Sequence, residues 1–164
     1  MNLRLAALLM ALFLIPSATV LASGKRSSKA TVSLHIETER TDNPKMIFPY
    51  TVEGRQRYFR RMPEIMTNDV AAFSPFPSEV GGDDYGAVFK LTARAARRYA
   101  AISSANQGRW MIVQVNGRAV DVLYIDKPVD DGLIVVWKGI TLADTTTLDD
   151  AKPRIEAKGK KDKE

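Results

Sequence analysis

The first folded part of the chain alternates between apolar and polar positions. Over residues 30–39, Val32, Leu34 and Ile36 share one face and polar side chains share the other. A period of two residues is typical of a half-buried β-strand. The pattern therefore predicts a strand in which His35 points to the exposed polar face.

A second strand is predicted over residues 45–52, where Pro49 interrupts the run. Proline has no backbone N–H to donate within a sheet, so this strand is expected at a sheet edge or at a bulge. An exposed edge can bind an extended polypeptide by strand addition.

From residue 85 the pattern is more regular. A strand is predicted over residues 85–91, and Thr92 is a suitable N-cap for a helix over residues 93–106. A strand over 109–115 follows, and Asn116-Gly117 is the dipeptide favoured in a two-residue hairpin turn, because both residues accept positive φ.

The chain then returns over residues 118–125 as the partner strand of that hairpin. Residues 133–137 are apolar throughout, which indicates a strand at the centre of a sheet. Thr141 is the expected N-cap of a short helix over 142–151. This order predicts an α+β two-layer sandwich, with one main helix packed on a mostly antiparallel sheet.

The two ends of the chain differ from this folded part. Residues 1–22 run from a cationic start through an unbroken apolar segment to small residues, the order of a secretory signal peptide. Cleavage after Ala22 and retention as an anchor are the two alternatives. We expect a basic linker over 23–29, one domain over 30–151 and a disordered basic tail over 152–164.

Composition limits the chemistry. The 164 residues include no cysteine and one histidine, which excludes disulfides, a thiol nucleophile and a metal site made of several histidines. The formal net charge of +5 comes from the leader and the two flanking segments, since residues 30–151 hold 14 Lys or Arg and 16 Asp or Glu. No cofactor motif is present, and we expect no nucleic-acid partner.

Three groups of residues are candidates for interaction. Tyr58 and Phe59 lie among arginines, an arrangement that suits either a structural strand or a stacking surface. Phe73 and Phe76 lie in a proline-rich segment, where they cover the core edge or form an apolar patch. The tail contributes Lys158, Lys160 and Lys161, which either keep the chain in solution or contact an anionic envelope polymer or lipid.

The segment from residue 86 to 143 resembles the head subdomain of the first periplasmic domain of SecD/SecDF protein-export proteins. The resemblance lies in a strand ending at Thr92, an alanine-rich helix ending in Asn106-Gln107-Gly108, the turn Asn116-Gly117 and a glycine-bounded strand over 132–139. It implies a periplasmic α+β module that contacts polypeptide, and it offers no catalytic residue to transfer.

We therefore expect an exported, periplasmic or extracellular, non-catalytic module that binds a polypeptide or a partner protein. One alternative is attachment to an anionic lipid or envelope polymer through the basic ends, which salt would weaken. A further alternative is a hydrolase that uses loop aspartates such as Asp126 and Asp131. Neither carboxylate has a second one at a spacing that fixes a catalytic pair.

Overall fold

The computed structural model describes residues 30–156 as nine β-strands, two α-helices and a short 3₁₀ turn. In chain order the elements are β1 Val32–Thr38, β2 Ile47–Val52, β3 Arg55–Arg60, β4 Ile65–Met66, β5 Val70–Pro77, β6 Asp84–Leu91, α1 Ala93–Ala105, β7 Trp110–Val115, β8 Arg118–Tyr124, β9 Leu133–Thr141 and α2 Leu142–Ala151. The 3₁₀ turn Thr67–Asp69 joins β4 to β5.

The strands form two sheets. The larger has the order β2-β3-β1-β7-β8, with the short β4 also paired to β1, and the smaller has the order β5-β6-β9. Every pair of these strands is antiparallel. The α+β class is therefore confirmed, although strands hold most of the residues in regular secondary structure and there are two sheets instead of one.

The predicted caps are in place. Thr92 accepts a hydrogen bond from the backbone N–H of Ala95 at the start of α1. Thr141 begins α2 with a capping box, in which its hydroxyl and the Asp144 carboxylate each bond the other residue's backbone N–H. Asn116 and Gly117 both have positive φ, 51° and 76°, as the hairpin turn between β7 and β8 requires.

The turn and the second helix are joined by Asp144. Its carboxylate accepts hydrogen bonds from Asn116 Nδ2 at 2.8 Å and from the Arg118 guanidinium at 2.7 Å. Burial raises the pKa of this carboxyl, but the hydrogen bonds from Thr141, Asn116 and Arg118 outweigh burial and leave the pKa below its usual value. The group is therefore a carboxylate at neutral pH.

One hydrophobic core joins both sheets and both helices. Its fully buried members include Leu34 of β1, Phe89 of β6 and Leu148 of α2. A second, smaller cluster covers the opposite face of the larger sheet, where Val52 and Phe59 of the β2–β3 hairpin pack on Ile112 of β7. This hairpin buries the face of β1 that we expected to be exposed.

His35 is accordingly only 6 % exposed, and the prediction that it points to solvent is wrong. The ring lies edge-on to Phe48, with centroids 5.5 Å apart. Its Nδ1 is 2.8 Å from the Arg60 carbonyl oxygen and its Nε2 is 2.9 Å from Ser33 Oγ. The alternation along β1 is unchanged, but a hairpin distant in sequence covers its polar face.

This burial predicts a pH-dependent stability. Desolvation lowers the pKa of His35, and the hydrogen bond to the Arg60 carbonyl opposes this only in part. A lowered folded-state pKa means that the unfolded chain takes up the proton first as pH falls below about 6.5. We expect the free energy of unfolding to be lower at pH 5 than at pH 7.5, as measured by urea titration.

The control is His35→Gln, which removes the only imidazole of the chain. The variant should lose the part of the pH dependence that lies between pH 7.5 and 5. A histidine proton resonance that titrates above pH 6.5 in the native protein would contradict the prediction.

Two further placements differ from expectation. β9 pairs with β6 alone, so the apolar strand is an edge strand and β6 is the central strand of its sheet. The prediction of a central position is wrong: the apolar run was taken to mean burial on both faces, but only alternate residues of β9 are buried and Trp137 is 64 % exposed. The position of β2 at the edge of the larger sheet is as predicted.

The residues just after α2 lie along the outer edge of β5. Phe73 N–H donates to the Pro153 carbonyl at 3.0 Å, and Ile155 N–H donates to the Phe73 carbonyl at 2.8 Å. The Arg154 guanidinium lies 4.7 Å above the Phe73 ring. The first part of the predicted disordered tail is therefore paired with the sheet. The remaining tail and the predicted leader and linker lie outside the described residues.

Candidate binding cleft

An open cleft lies beside the bulged part of β9, with a volume of about 750 Å³. Apolar side chains supply much of its wall, and two of them are largely exposed: Trp137 at 64 % and Val80 at 71 %. The cleft is lined by Phe76, Pro77, Glu79, Val80, Asp121, Trp137 and Lys138. Exposed aromatic and aliphatic groups that share one concave surface are typical of an interaction site.

A β-bulge presents Trp137 to solvent. Tyr85 of β6 pairs with Ile140, whereas Ala87 pairs with Val136, so residues 137–139 of β9 lie opposite Gly86 alone. A bulge bends its strand and turns a side chain away from the regular pleat. The register shift therefore gives Trp137 its position beside the β5–β6 connection.

Gly86 makes room for the second aromatic ring. A Cβ at this position would lie 2.4 Å from Cζ of Phe76 and 2.6 Å from the Val136 carbonyl oxygen. The Phe76 ring thus lies directly over the Gly86 backbone. Phe76 and Trp137 meet edge to face, with centroids 6.1 Å apart and an interplanar angle of 71°, an arrangement favoured for aromatic pairs.

Side chains from other strands hold the backbone of the bulge. Asp121 accepts from the Trp137 N–H at 2.9 Å, and Asp84 accepts from the Gly139 N–H at 2.9 Å. Arg118 donates to the Gly139 carbonyl at 2.8 Å. Ser78 also donates its hydroxyl hydrogen to Asp84, which ties the β5–β6 turn to the bulge. The bulge backbone that carries Trp137 is therefore held by side chains of β6 and β8.

The chemistry of the cleft suits an apolar group on an extended chain. Its floor is aromatic, and its charged lining residues are two acidic ones, Glu79 and Asp121, and one basic one, Lys138. The carboxylates of Asp84 and Asp121 are already occupied by backbone N–H groups. An apolar side chain can bury itself against the rings, and the charges of Glu79 and Lys138 can orient polar groups around it.

The candidate residues from the sequence are found in different places. Phe76 lines the cleft, and Tyr58 lies half-buried on the β2–β3 hairpin. Phe59 and Phe73 are both 0 % exposed, so a surface interaction role does not fit them. Each belongs to a hydrophobic core cluster. The remaining three candidates, Lys158, Lys160 and Lys161, lie outside the described residues.

Trp137 and Val80 are absent from the candidates drawn from sequence. The available signal for Trp137 is the two-residue period of a strand. Ile134 and Val136 lie on the buried face of β9, so Trp137 lies on the opposite, outward face. A continuous apolar run conceals that alternation. Val80 carried no signal, because its exposure depends on the turn between β5 and β6.

The loop aspartates do not gather into a metal site. Across residues 30–156, no group of three or more His, Asp or Glu side chains is arranged to hold a metal ion. Asp131 accepts from the Leu133 N–H at 2.9 Å, which is a local turn contact. Asp126 and Asp130 are exposed in the same loop.

Two packed antiparallel sheets with two helices define the class of protein as an α+β module. The same fold occurs in a solved structure whose description reads "Structure and function of a membrane component SecDF that enhances protein export". The two chains are 13 % identical with a TM-score of 0.54, and the match covers 79 % of this chain and 69 % of that one. The expected SecD-like fold is thus confirmed, over a longer segment than residues 86–143.

A structure of SecDF in a super-membrane-facing form is also similar, at 14 % identity and a TM-score of 0.48. That match covers 76 % of this chain and only 18 % of the SecDF chain. No protein-family model and no curated protein matches the sequence. Neither helix of the described part of the chain is long and apolar enough to cross a bilayer.

Proposed function

We propose that this protein is an exported, non-catalytic module of the bacterial envelope that binds polypeptide segments in the Trp137 cleft. The observation that carries the proposal is the aromatic pair of half-exposed Phe76 and exposed Trp137, with the Trp137 backbone held at the bulge by Asp121. Export rests on the leader-like order of residues 1–22. The shared fold supports the proposal, because the solved SecDF is described as enhancing protein export.

The energetics favour a short apolar segment as the ligand. Tryptophan is enriched among the few residues that dominate binding energies, and removing such a residue costs about 2 kcal/mol or more. The bulge also reduces the entropy lost on binding, because the Trp137 backbone is already fixed by Asp121. Affinity for any one segment should be modest, since the cleft is open and contacts few residues.

The test is a binding titration with a permanently unfolded polypeptide, reduced and carboxymethylated α-lactalbumin carrying a fluorescent label. Trp137→Ala should weaken binding by about 30-fold or more, as followed by fluorescence anisotropy. Native α-lactalbumin should bind much less tightly than the unfolded form, because its apolar side chains are buried.

A matched control comes from Met66, which is 52 % exposed on β4 and does not line the cleft. Met66→Ala removes a comparable exposed apolar side chain and should leave the affinity within about twofold of the original protein, since surface substitutions have small effects. Equal losses in the two variants would contradict the proposal, as would an unchanged affinity after Trp137→Ala.

Strand addition at β2 is the second way in which the module could hold a polypeptide. β2 is an edge strand, and six of its residues pair with β3 on the inner side. Pro49 has no backbone N–H, so the strand has one hydrogen-bond donor fewer than its six residues would otherwise supply. We favour the cleft because its exposed aromatic groups supply binding energy that a bare edge lacks.

A further inference from the structure

A cationic groove crosses the β2–β3 hairpin, far in sequence from the Trp137 cleft. Its volume is about 330 Å³, and it is lined by Arg40, Pro44, Ile47, Pro49, Tyr58 and Arg61. Pro49 and Tyr58, which both line the groove, are direct cross-strand partners in the β2–β3 hairpin. The groove therefore combines an apolar floor with one arginine from the β1–β2 turn and one that follows β3.

Positive charge is concentrated around this groove. Residues 40–62 contain six Lys or Arg and two Asp or Glu, although residues 30–151 as a whole carry more acidic than basic groups. Arg57 is paired with Glu37 and Arg60 with Glu64. Of the six, Arg40, Lys45, Arg55 and Arg61 form no ion pair within residues 30–156, and Arg40 and Arg61 line the groove.

Two exposed methionines lie beside the same cations. Met46 is 48 % exposed and Met62 is 68 % exposed. The Arg61 N–H donates to the Met46 carbonyl at 2.8 Å, so the backbone brings the two methionines to one end of the hairpin. Exposed flexible apolar side chains among cations are the composition of a surface that rests on an anionic bilayer.

We propose that the end of the β2–β3 hairpin docks on an anionic phospholipid bilayer. A headgroup phosphate binds in the groove next to Arg40 and Arg61, while Met46 and Met62 enter the boundary between headgroups and acyl chains. The groove has room for a single headgroup, and the opposite charges of ligand and surface select anionic lipid. This surface shares no residue with the Trp137 cleft, so the proposal is independent of polypeptide binding.

The experiment is co-sedimentation of the full chain, purified from expressing bacterial cells, with lipid vesicles. Vesicles of phosphatidylcholine alone are compared with vesicles of phosphatidylcholine and phosphatidylglycerol in equal parts. The measured quantity is the ratio of the protein bound to anionic vesicles to the protein bound to phosphatidylcholine vesicles. This ratio is used because an apolar leader, where retained, binds both kinds of vesicle. Arg40→Gln with Arg61→Gln should lower the partition onto anionic vesicles by about 30-fold, since each cation near the surface is worth about 1 kcal/mol.

The matched control is Arg94→Gln with Arg97→Gln, which removes the same charge from the exposed face of α1. That variant should bind anionic vesicles within about twofold of the original protein, because its charges lie away from the bilayer. A second comparison, Lys158→Gln with Lys160→Gln, tests attachment through the basic tail. The proposal is wrong if either comparison variant loses as much binding as the groove variant.

The apolar contribution and the source of the phosphate are tested separately. Met46→Ser with Met62→Ser should also weaken binding to anionic vesicles while leaving the charge unchanged, and an unchanged partition would refute bilayer docking. Inorganic phosphate should compete no better than sodium chloride at the same ionic strength. Effective competition by inorganic phosphate would identify a site for a free anion in place of a membrane surface.

Discussion

Gly139→Ala is expected to destabilise the protein by about 2–5 kcal/mol, a large part of the stability of a typical domain. Gly139 has a φ of +85°, and a Cβ there would lie 2.1 Å from the Val120 carbonyl oxygen. The obstacle is backbone, which cannot rotate away as a side chain can. The bulge and β8 would have to separate, and the hydrogen bond from Arg118 to the Gly139 carbonyl would be lost with them.

The measurement is chemical unfolding followed by circular dichroism, with Gly117→Ala as the matched control. Gly117 has a similar φ of +76° but nothing within 4 Å of a Cβ. The control variant therefore reports the left-handed backbone strain alone, about 1–2 kcal/mol. Equal losses in the two variants would show that the close approach of β9 to β8 contributes nothing to stability.

Phe73→Ala is expected to cost about 3–5 kcal/mol, because it leaves a cavity in the core that joins the two sheets. Phe73 is 0 % exposed, and its ring stacks on Phe89 with centroids 6.4 Å apart. Phe76 lies three residues further along the same strand but faces the cleft. Phe76→Ala should cost less stability than Phe73→Ala and should weaken binding of the unfolded probe.

Both variants can be studied by the same unfolding titration and the same anisotropy measurement. The binding assay on Phe73→Ala is made without denaturant. The temperature is kept low enough that circular dichroism shows the variant to be folded. Stability losses in the reverse order would contradict the assignment of Phe73 to the core. Normal affinity after Phe76→Ala would remove Phe76 from the proposed binding surface.

Local patterns in the sequence were sufficient for the elements that depend on neighbouring residues. Thr92 and Thr141 cap their helices through bonds to backbone three residues away. Asn116-Gly117 closes its hairpin through the dihedral angles that these two residues favour. In each case the deciding contact lies within a few residues, so the sequence pattern contains the whole physical cause.

The features that the sequence pattern missed depend on contacts between distant segments. His35 is buried because the β2–β3 hairpin folds over β1, and its Nδ1 reaches a carbonyl 25 residues away. Two carboxylates hold the bulge. Asp121 binds the Trp137 N–H across 16 residues of sequence, and Asp84 binds the Gly139 N–H across 55 residues. Periodicity within a strand contains no information about such partners.

The residues of the binding cleft were also only partly predictable from the sequence. Phe76 was among the candidate residues, but a proline-rich segment is consistent with both core and surface positions for its aromatic rings. The alternation of β5 decides that Phe73 faces the core and that Phe76 is half-exposed. Which of two aromatic residues is free to bind therefore follows from strand register, and register depends on the pairing with β6.

The pairing of Pro153 and Ile155 with β5 has a consequence for how the protein behaves at high concentration. An unpaired edge strand is a template on which a second molecule can add, and repeated addition leads to aggregates. Here the chain occupies that edge with its own residues, at Phe73. The contact thus covers the edge of β5 at Phe73, and shortening the chain before Pro153 would open that edge to pairing with a second molecule.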